Sequence, residues 1–205
     1  MGARRGDALR EHILWTAKDV FLETGFERAS MDEIAARAET SKRTLYAYFE
    51  NKEKLFLAIL VLARELFLSK LKLPGDYSDD PVQALTMFCG RYLEILLYAG
   101  WIRMCRMGLA EVERFPEAAI QSFEVVFSTV QERLSVYLKK TLGLSAKAST
   151  EAAQKLLGQI LYPRYMRALF GVDAPAETFG PHGLGADFNL KPIRKAVAEL
   201  IASMG

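Results

Sequence analysis

Between Ile120 and Tyr137 the apolar residues Ile120, Phe123, Phe127, Val130, Leu134 and Tyr137 fall in alternating steps of three and four. An α-helix, with 3.6 residues per turn, brings such a set onto one face. The same period runs through most of the chain, and no stretch shows the alternation of a half-buried strand. The expected fold class is therefore all-α.

Punctuation divides the helices. Leu9, Ile13, Ala17, Val20 and Phe21 mark a first helix over 9–24, stopped by Gly25. Ser30-Met31-Asp32-Glu33 has the pattern of a capping box, in which Ser30 takes the Glu33 amide and Glu33 reaches back. Ile34, Ala35 and Ala38 give the short helix that follows one apolar side. After Glu39-Thr40-Ser41, Ser41 caps a third helix holding Leu45, Tyr46 and Phe49. Asn51 caps a fourth, expected over 52–71, and Pro74 to Pro81 form a turn cluster. Further helices are expected past Pro81, marked by Leu85, Phe88, Tyr92, Leu96 and Ala99 with Gly100 as stop, over 101–113, along the Ile120 to Tyr137 run with Gly143 as stop, and over 145–170 with a kink or break at Pro163. The stretch 171–187 is rich in Gly and Pro and reads as a long loop, before a last helix over 190–203.

Composition excludes several function classes. Apolar residues make up 51% and charged residues 25% of the 205, which is ordinary globular usage. The most apolar run, 55–68, is interrupted by Arg64 and Glu65 and falls short of the roughly 20 residues of a membrane span. The N-terminus has no apolar signal core, so the expected location is the cytoplasm. Cys89 and Cys105 sit among apolar residues and read as buried thiols, not as a redox pair or a zinc site. His12 and His182 are far apart, and no phosphate loop, nucleophile set or metal spacing is present, so no metal, cofactor or enzyme activity is expected.

Three short helices in about 50 residues, the second and third joined by a tight turn, describe a helix-turn-helix. In that geometry the third helix enters the major groove, its first residues face base edges, and phosphate contacts set the register. Lys42, Arg43 and Thr44 begin the third helix and can donate hydrogen bonds. Tyr46 and Tyr48 carry hydroxyls suited to phosphate, and Lys52 opens the fourth helix. Leu45 and Phe49, four apart, anchor the helix inward. Each of these residues also has a plain alternative, as a solvated face or a half-buried aromatic. Charge gives no help: residues 1–54 carry ten basic and ten acidic side chains. The stretch 41–54 is locally positive, and Arg4 and Arg5 read as an arm suited to a minor groove.

The run Ser41-Lys42-Arg43-Thr44-Leu45-Tyr46-Ala47-Tyr48-Phe49-Glu50-Asn51-Lys52-Glu53-Lys54-Leu55 resembles the recognition helix and following helix start of the TetR family, within a resemblance covering about 9–60. Segment 101–119, with Arg106-Met107, Ala110-Glu111 and Arg114-Phe115-Pro116-Glu117, resembles the AefR-type subset. The resemblance implies a DNA-contacting set of Ser30, Ser41, Lys42, Arg43, Thr44, Tyr46, Ala47, Tyr48 and Lys52. It implies a DNA-binding domain over 1–54 and a ligand-binding, dimerising domain over 55–205. It further implies a homodimer paired through the last two long helices, on a pseudo-palindromic double-stranded DNA operator, with a small apolar or aromatic effector that releases a repressor. One departure stands out: where the family has glycine in the turn, this chain has Glu39, which strains the backbone by about 1–3 kcal/mol if φ is positive there.

For the effector, Phe88, Tyr92, Trp101, Met104, Cys105, Phe123, Phe127, Tyr162 and Met166 offer an adaptable apolar lining, with Glu111 as a polar anchor. Each of them reads equally as core. The rival functional reading is a helical interaction or small-molecule carrier module that has lost DNA binding.

Overall fold

The computed structural model describes residues 2–180 and 183–204, with side chains from Gly6 onward. Arg4 and Arg5 fall outside the described side chains, and His182 outside the described residues. The helices are α1 (Gly2–Arg28), α2 (Met31–Arg37), α3 (Lys42–Tyr48), α4 (Lys52–Lys70), α5 (Pro81–Leu97), α6 (Ala99–Ala110), α7 (Pro116–Phe123), α8 (Thr129–Leu142), α9 (Ala146–Leu161), α10 (Arg164–Leu169) and α11 (Lys191–Ala202). A 3-10 turn at Pro74–Asp76 precedes α5, and a π-helical turn at Glu124–Ser128 joins α7 to α8. No strand occurs among the described residues, and the fold is all-α.

The punctuation residues act as chemistry requires. Gly25 breaks helical geometry inside α1 with φ 78°. Gly143 closes α8 in the left-handed region at φ 68°. Pro163 separates α9 from α10. Gly100 differs from expectation. The helix before it already ends at Leu97, Tyr98 is extended, and Gly100 lies in the first turn of α6. A Cβ at Gly100 would come within 2.6 Å of the Tyr98 ring, so close approach explains the glycine.

The strongest amphipathic run also differs. The π turn adds a residue to the helical path between 123 and 129, and the buried positions become Ala118, Val126, Val130, Leu134 and Leu138. Ile120 and Phe123 are exposed. A π turn displaces the usual hydrogen-bond pattern, and the Val126 carbonyl accepts from the buried Tyr92 hydroxyl at 3.0 Å.

The chain forms two compact units. One comprises Met1–Glu65 with Arg106–Ser122, and the other Leu66–Cys105 with Phe123–Gly205. This division is not the one expected at residue 54. The first unit takes in most of α4's length and the α6–α7 segment, because Phe115 joins an aromatic cluster with Phe26 and Phe56 at 5.4 and 5.1 Å. Phe21 completes that cluster. Arg114 lies over the Phe26 ring at 4.8 Å and pairs with Glu27.

The second unit packs α8 against α9 and α5 against α11 around a core containing Leu85, Phe88, Tyr92, Leu134, Leu156 and Val197. Arg91 and Glu94, both on α5, form a buried ion pair at 2.7 Å. Arg91 also donates to the carbonyls of Gly180 and Gly183 at 2.7 Å and of Lys70 at 3.1 Å. Glu94 accepts from the amides of Gly180 and Gly185 at 3.2 and 2.7 Å. The Gly-rich loop is thus tied to α5 by charge-assisted bonds.

Candidate nucleic-acid interface

Ser30 caps α2 by accepting from the Glu33 amide at 3.1 Å. The reciprocal half of the expected box is not made, because the Glu33 carboxylate pairs with Arg37 at 3.0 Å. At the other end of α2, the Thr40 amide donates to Ala35 and the Glu39 amide to Ala36. This double closure requires a left-handed residue at position 39. Glu39 supplies it at φ 48°, the one non-glycine residue in that region among those described.

The turn delivers the chain to Ser41, which caps α3 by accepting from the Thr44 amide at 3.0 Å. Leu45 and Phe49 are buried, as their spacing predicted. Arg10 lies over the Phe49 ring at 5.3 Å. Burying Leu45 contributes about 2 kcal/mol and fixes which face of α3 points outward. That outward face carries Lys42, Arg43, Tyr46 and Ala47. Arg43 makes no hydrogen bond or ion pair with the described residues. Lys42 pairs with Asp32 of α2 at 2.6 Å, both well exposed. Thr44 shares a hydrogen bond with Ser41 at 2.8 Å.

Two members of the expected set are engaged inside the unit. The Tyr48 hydroxyl donates to the Gly6 carbonyl at 3.1 Å, pinning α3 to α1. The Lys52 ammonium donates to the carbonyls of Phe26, Glu27 and Ala29 at 2.9, 3.1 and 3.1 Å, and lies 4.6 Å from the Phe26 ring centre. An ammonium has three protons, so all are used. Lys52 closes the carbonyl-rich end of α1 instead of presenting a free charge. A lysine at the start of one helix gives no sequence sign that it caps another.

The residues expected to line an effector pocket come together only in part: the Phe123 and Phe127 ring centres are 5.2 Å apart, and Cys105 and Phe127 both meet Tyr165. Phe88, Tyr92 and Met104 are packed core. The Phe127 ring lies tilted beside that of Tyr165 with centres 6.2 Å apart, and the Trp101 indole N–H is buried without an acceptor among the described residues. Phe123, Tyr162 and Met166 are exposed at 60%, 72% and 39%, so they face solvent. Glu111 belongs to the first unit and pairs with Arg114 at 3.8 Å. Burial pushes the Cys105 thiol up to about 11, with the Tyr165 hydroxyl at 3.5 Å lowering it slightly. Such a thiol stays protonated near neutral pH.

The second unit also opens a cavity of about 530 Å³ bounded by the end of α5, by α10 and by residues within 173–180 and 185–189. Glu94, Leu97, Arg164, Ala168, Phe179 and Phe188 are among its walls. Sequence reading missed it because most of its walls are a loop without periodicity. The glycines Gly180 and Gly185 were the available signal. A Cβ at Gly180 would meet the Gly183 carbonyl at 2.0 Å, and one at Gly185 would meet Glu94 at 2.7 Å.

Residues 13–59 match the family model of the bacterial regulatory proteins of the TetR family. Residues 83–178 match that of the AefR-like transcriptional repressor C-terminal domain. Over 64 residues the chain is 45% identical to the transcriptional activator FasR of Mycolicibacterium smegmatis, covering 29% of each chain. Over 84 residues it is 37% identical to the transcriptional repressor NicS of Pseudomonas putida, covering 40% of this chain and 39% of that one. The chain therefore matches well under half the length of these relatives. A crystal structure of a TetR-family regulator from Mesorhizobium loti superposes with TM-score 0.73 at 20% identity, covering 98% of this chain and 96% of that one. The flavonoid-responsive regulator FrrA superposes with TM-score 0.71 at 25% identity, covering 97% and 95%. No helix among the described residues is long and apolar enough to cross a membrane. The relatives are transcription regulators, not enzymes. Two adjoining models that together span most of the chain, with full-length agreement in fold, place it in the TetR family of bacterial regulatory proteins, with an AefR-like C-terminal domain.

Proposed function

We propose that this chain is a cytoplasmic, homodimeric transcription regulator that binds a pseudo-palindromic operator with α3 and represses until a small effector binds its second unit. The observation that carries the reading is the orientation of α3: Leu45 and Phe49 are sealed inward while Lys42, Arg43 and Tyr46 stand outward. Arg43, without a partner among the described residues, is the residue for base reading, and Tyr46 and the cap Ser30 serve phosphate. Lys42 reaches DNA by exchanging Asp32 for phosphate. The pair is exposed, so the exchange is cheap. Tyr48 and Lys52 act by holding α3 in place.

Pairing rests on Tyr162, Met166 and Phe170, exposed apolar residues in steps of four at the end of the α9–α10 segment. A two-fold dimer would present two α3 helices to half-sites about 34–36 Å apart. An effector releases DNA only by its differential affinity for two states of the dimer.

Selection of bound duplexes from random DNA tests the reading. A palindromic motif is expected, and Arg43→Ala should flatten one position of each half-site, worth about 1–3 kcal/mol. No enrichment, or an unchanged motif in Arg43→Ala, removes the assignment.

A further inference from the structure

Two charged groups lining the cavity of the second unit have no hydrogen bond or ion pair with a described residue, the exposed Asp187 and the half-buried Arg164. Glu94 is neutralised by Arg91 and also accepts two loop amides. Asp173 receives both arms of Arg167 at 2.9 and 2.8 Å. Asp187 is exposed. Arg164 differs. It is half-buried, its guanidinium lies over the Phe188 ring at 5.5 Å, and it makes no hydrogen bond or ion pair with a described residue. A guanidinium offers five donors in a planar fork matched to a carboxylate.

Around it lie apolar walls from Leu97, Ala168 and Phe179. The volume of about 530 Å³ suits a small organic molecule. The walls are also fastened before any ligand arrives. The Ala99 amide donates to Ala176 at 2.8 Å and the Ala176 amide to Leu97 at 2.9 Å, beside the Arg91–Glu94 ties. A preformed site spends little binding energy on ordering.

We propose that this cavity is the effector site and that it takes an organic carboxylate with an aromatic or alkyl body, its carboxylate forked on Arg164 and its body against Leu97, Ala168 and Phe179. An organic cation is disfavoured, since Glu94 and Asp173 already hold arginines and the remaining lining carboxylate, Asp187, is exposed to solvent. The proposal rests on the effector-responsive reading above and names the chemistry of its site.

The test uses the full chain with 2-naphthoate and octanoate, each against its neutral amide, by calorimetry and ligand-observed NMR. The carboxylates should bind the native protein at least about tenfold more tightly than the amides. Arg164→Gln should erase that preference, Arg164→Lys should keep part of it, and Ala174→Trp, at the exposed wall, should block both ligand types. Thermal melts show that each variant folds. Equal binding of acids and amides, a preference unaltered in Arg164→Gln, or no binding by either carboxylate at millimolar concentration overturns the proposal. Duplex selection on the same native protein separates the two readings. Enriched DNA with no carboxylate binding sinks the cavity alone, whereas Arg164-dependent binding without DNA enrichment sinks the regulator.

Discussion

The two units treat opposite charges in opposite ways. In the first, Lys42 and Asp32 meet across the starts of α3 and α2 with side chains 63% and 62% exposed. In the second, Arg91 and Glu94 meet with side chains 1% and 5% exposed, bound also to four backbone groups of the loop and to Lys70. An exposed pair contributes about 0–1 kcal/mol and trades partners readily. A buried pair stabilises little against an apolar alternative, yet removing one member strands the other. The first arrangement suits a surface that must accept phosphates. The second suits a loop that must stay put to keep a cavity open.

The contrast is broken most severely by Arg91→Met. It should lower the unfolding free energy by about 3–5 kcal/mol in urea titrations, because Glu94 is left buried and unpaired. A loss below about 1 kcal/mol would make the pair equivalent to Lys42–Asp32. Next comes Leu45→Ala, which removes the inward anchor of α3 and should cost about 2–4 kcal/mol in the same titration.

Lys52→Met sharpens the comparison within the first unit. Loss of bonds to three carbonyls should cost about 1–2 kcal/mol, while the salt dependence of operator affinity stays unchanged. A slope lower by about one unit would return Lys52 to the DNA backbone. The smallest effect is a gain. Glu39→Gly should stabilise the chain by about 1 kcal/mol, because glycine holds φ 48° without a side-chain penalty. A loss of stability would mean that the Glu39 side chain contributes more than its backbone costs.

The sequence shows the first unit well because its signals are local. Ser30, Ser41 and the Leu45–Phe49 spacing act within one turn of their own positions, and the strain at Glu39 follows from the turn that it occupies. What escaped was long-range: Lys52 reaches back to Phe26, Tyr48 to Gly6, and Phe115 joins a cluster of residues much earlier in the chain. In the second unit the helices followed their period, but the π turn shifted which residues of 116–142 face inward. The cavity was illegible for a further reason. Most of its walls come from a loop fixed by Arg91 and Glu94, two charged residues that belong to no sequence motif.

The closure of α1 by Lys52 has a consequence for chemical footprinting. An amine whose three protons are all donated is a poor target for acylating reagents, while Lys54, two residues along and exposed, is an open one. Adjacent lysines in one peptide should therefore label at very different rates in the free protein. Local melting at the Phe26–Ala29 end of α1 would show as Lys52 catching up with its neighbour.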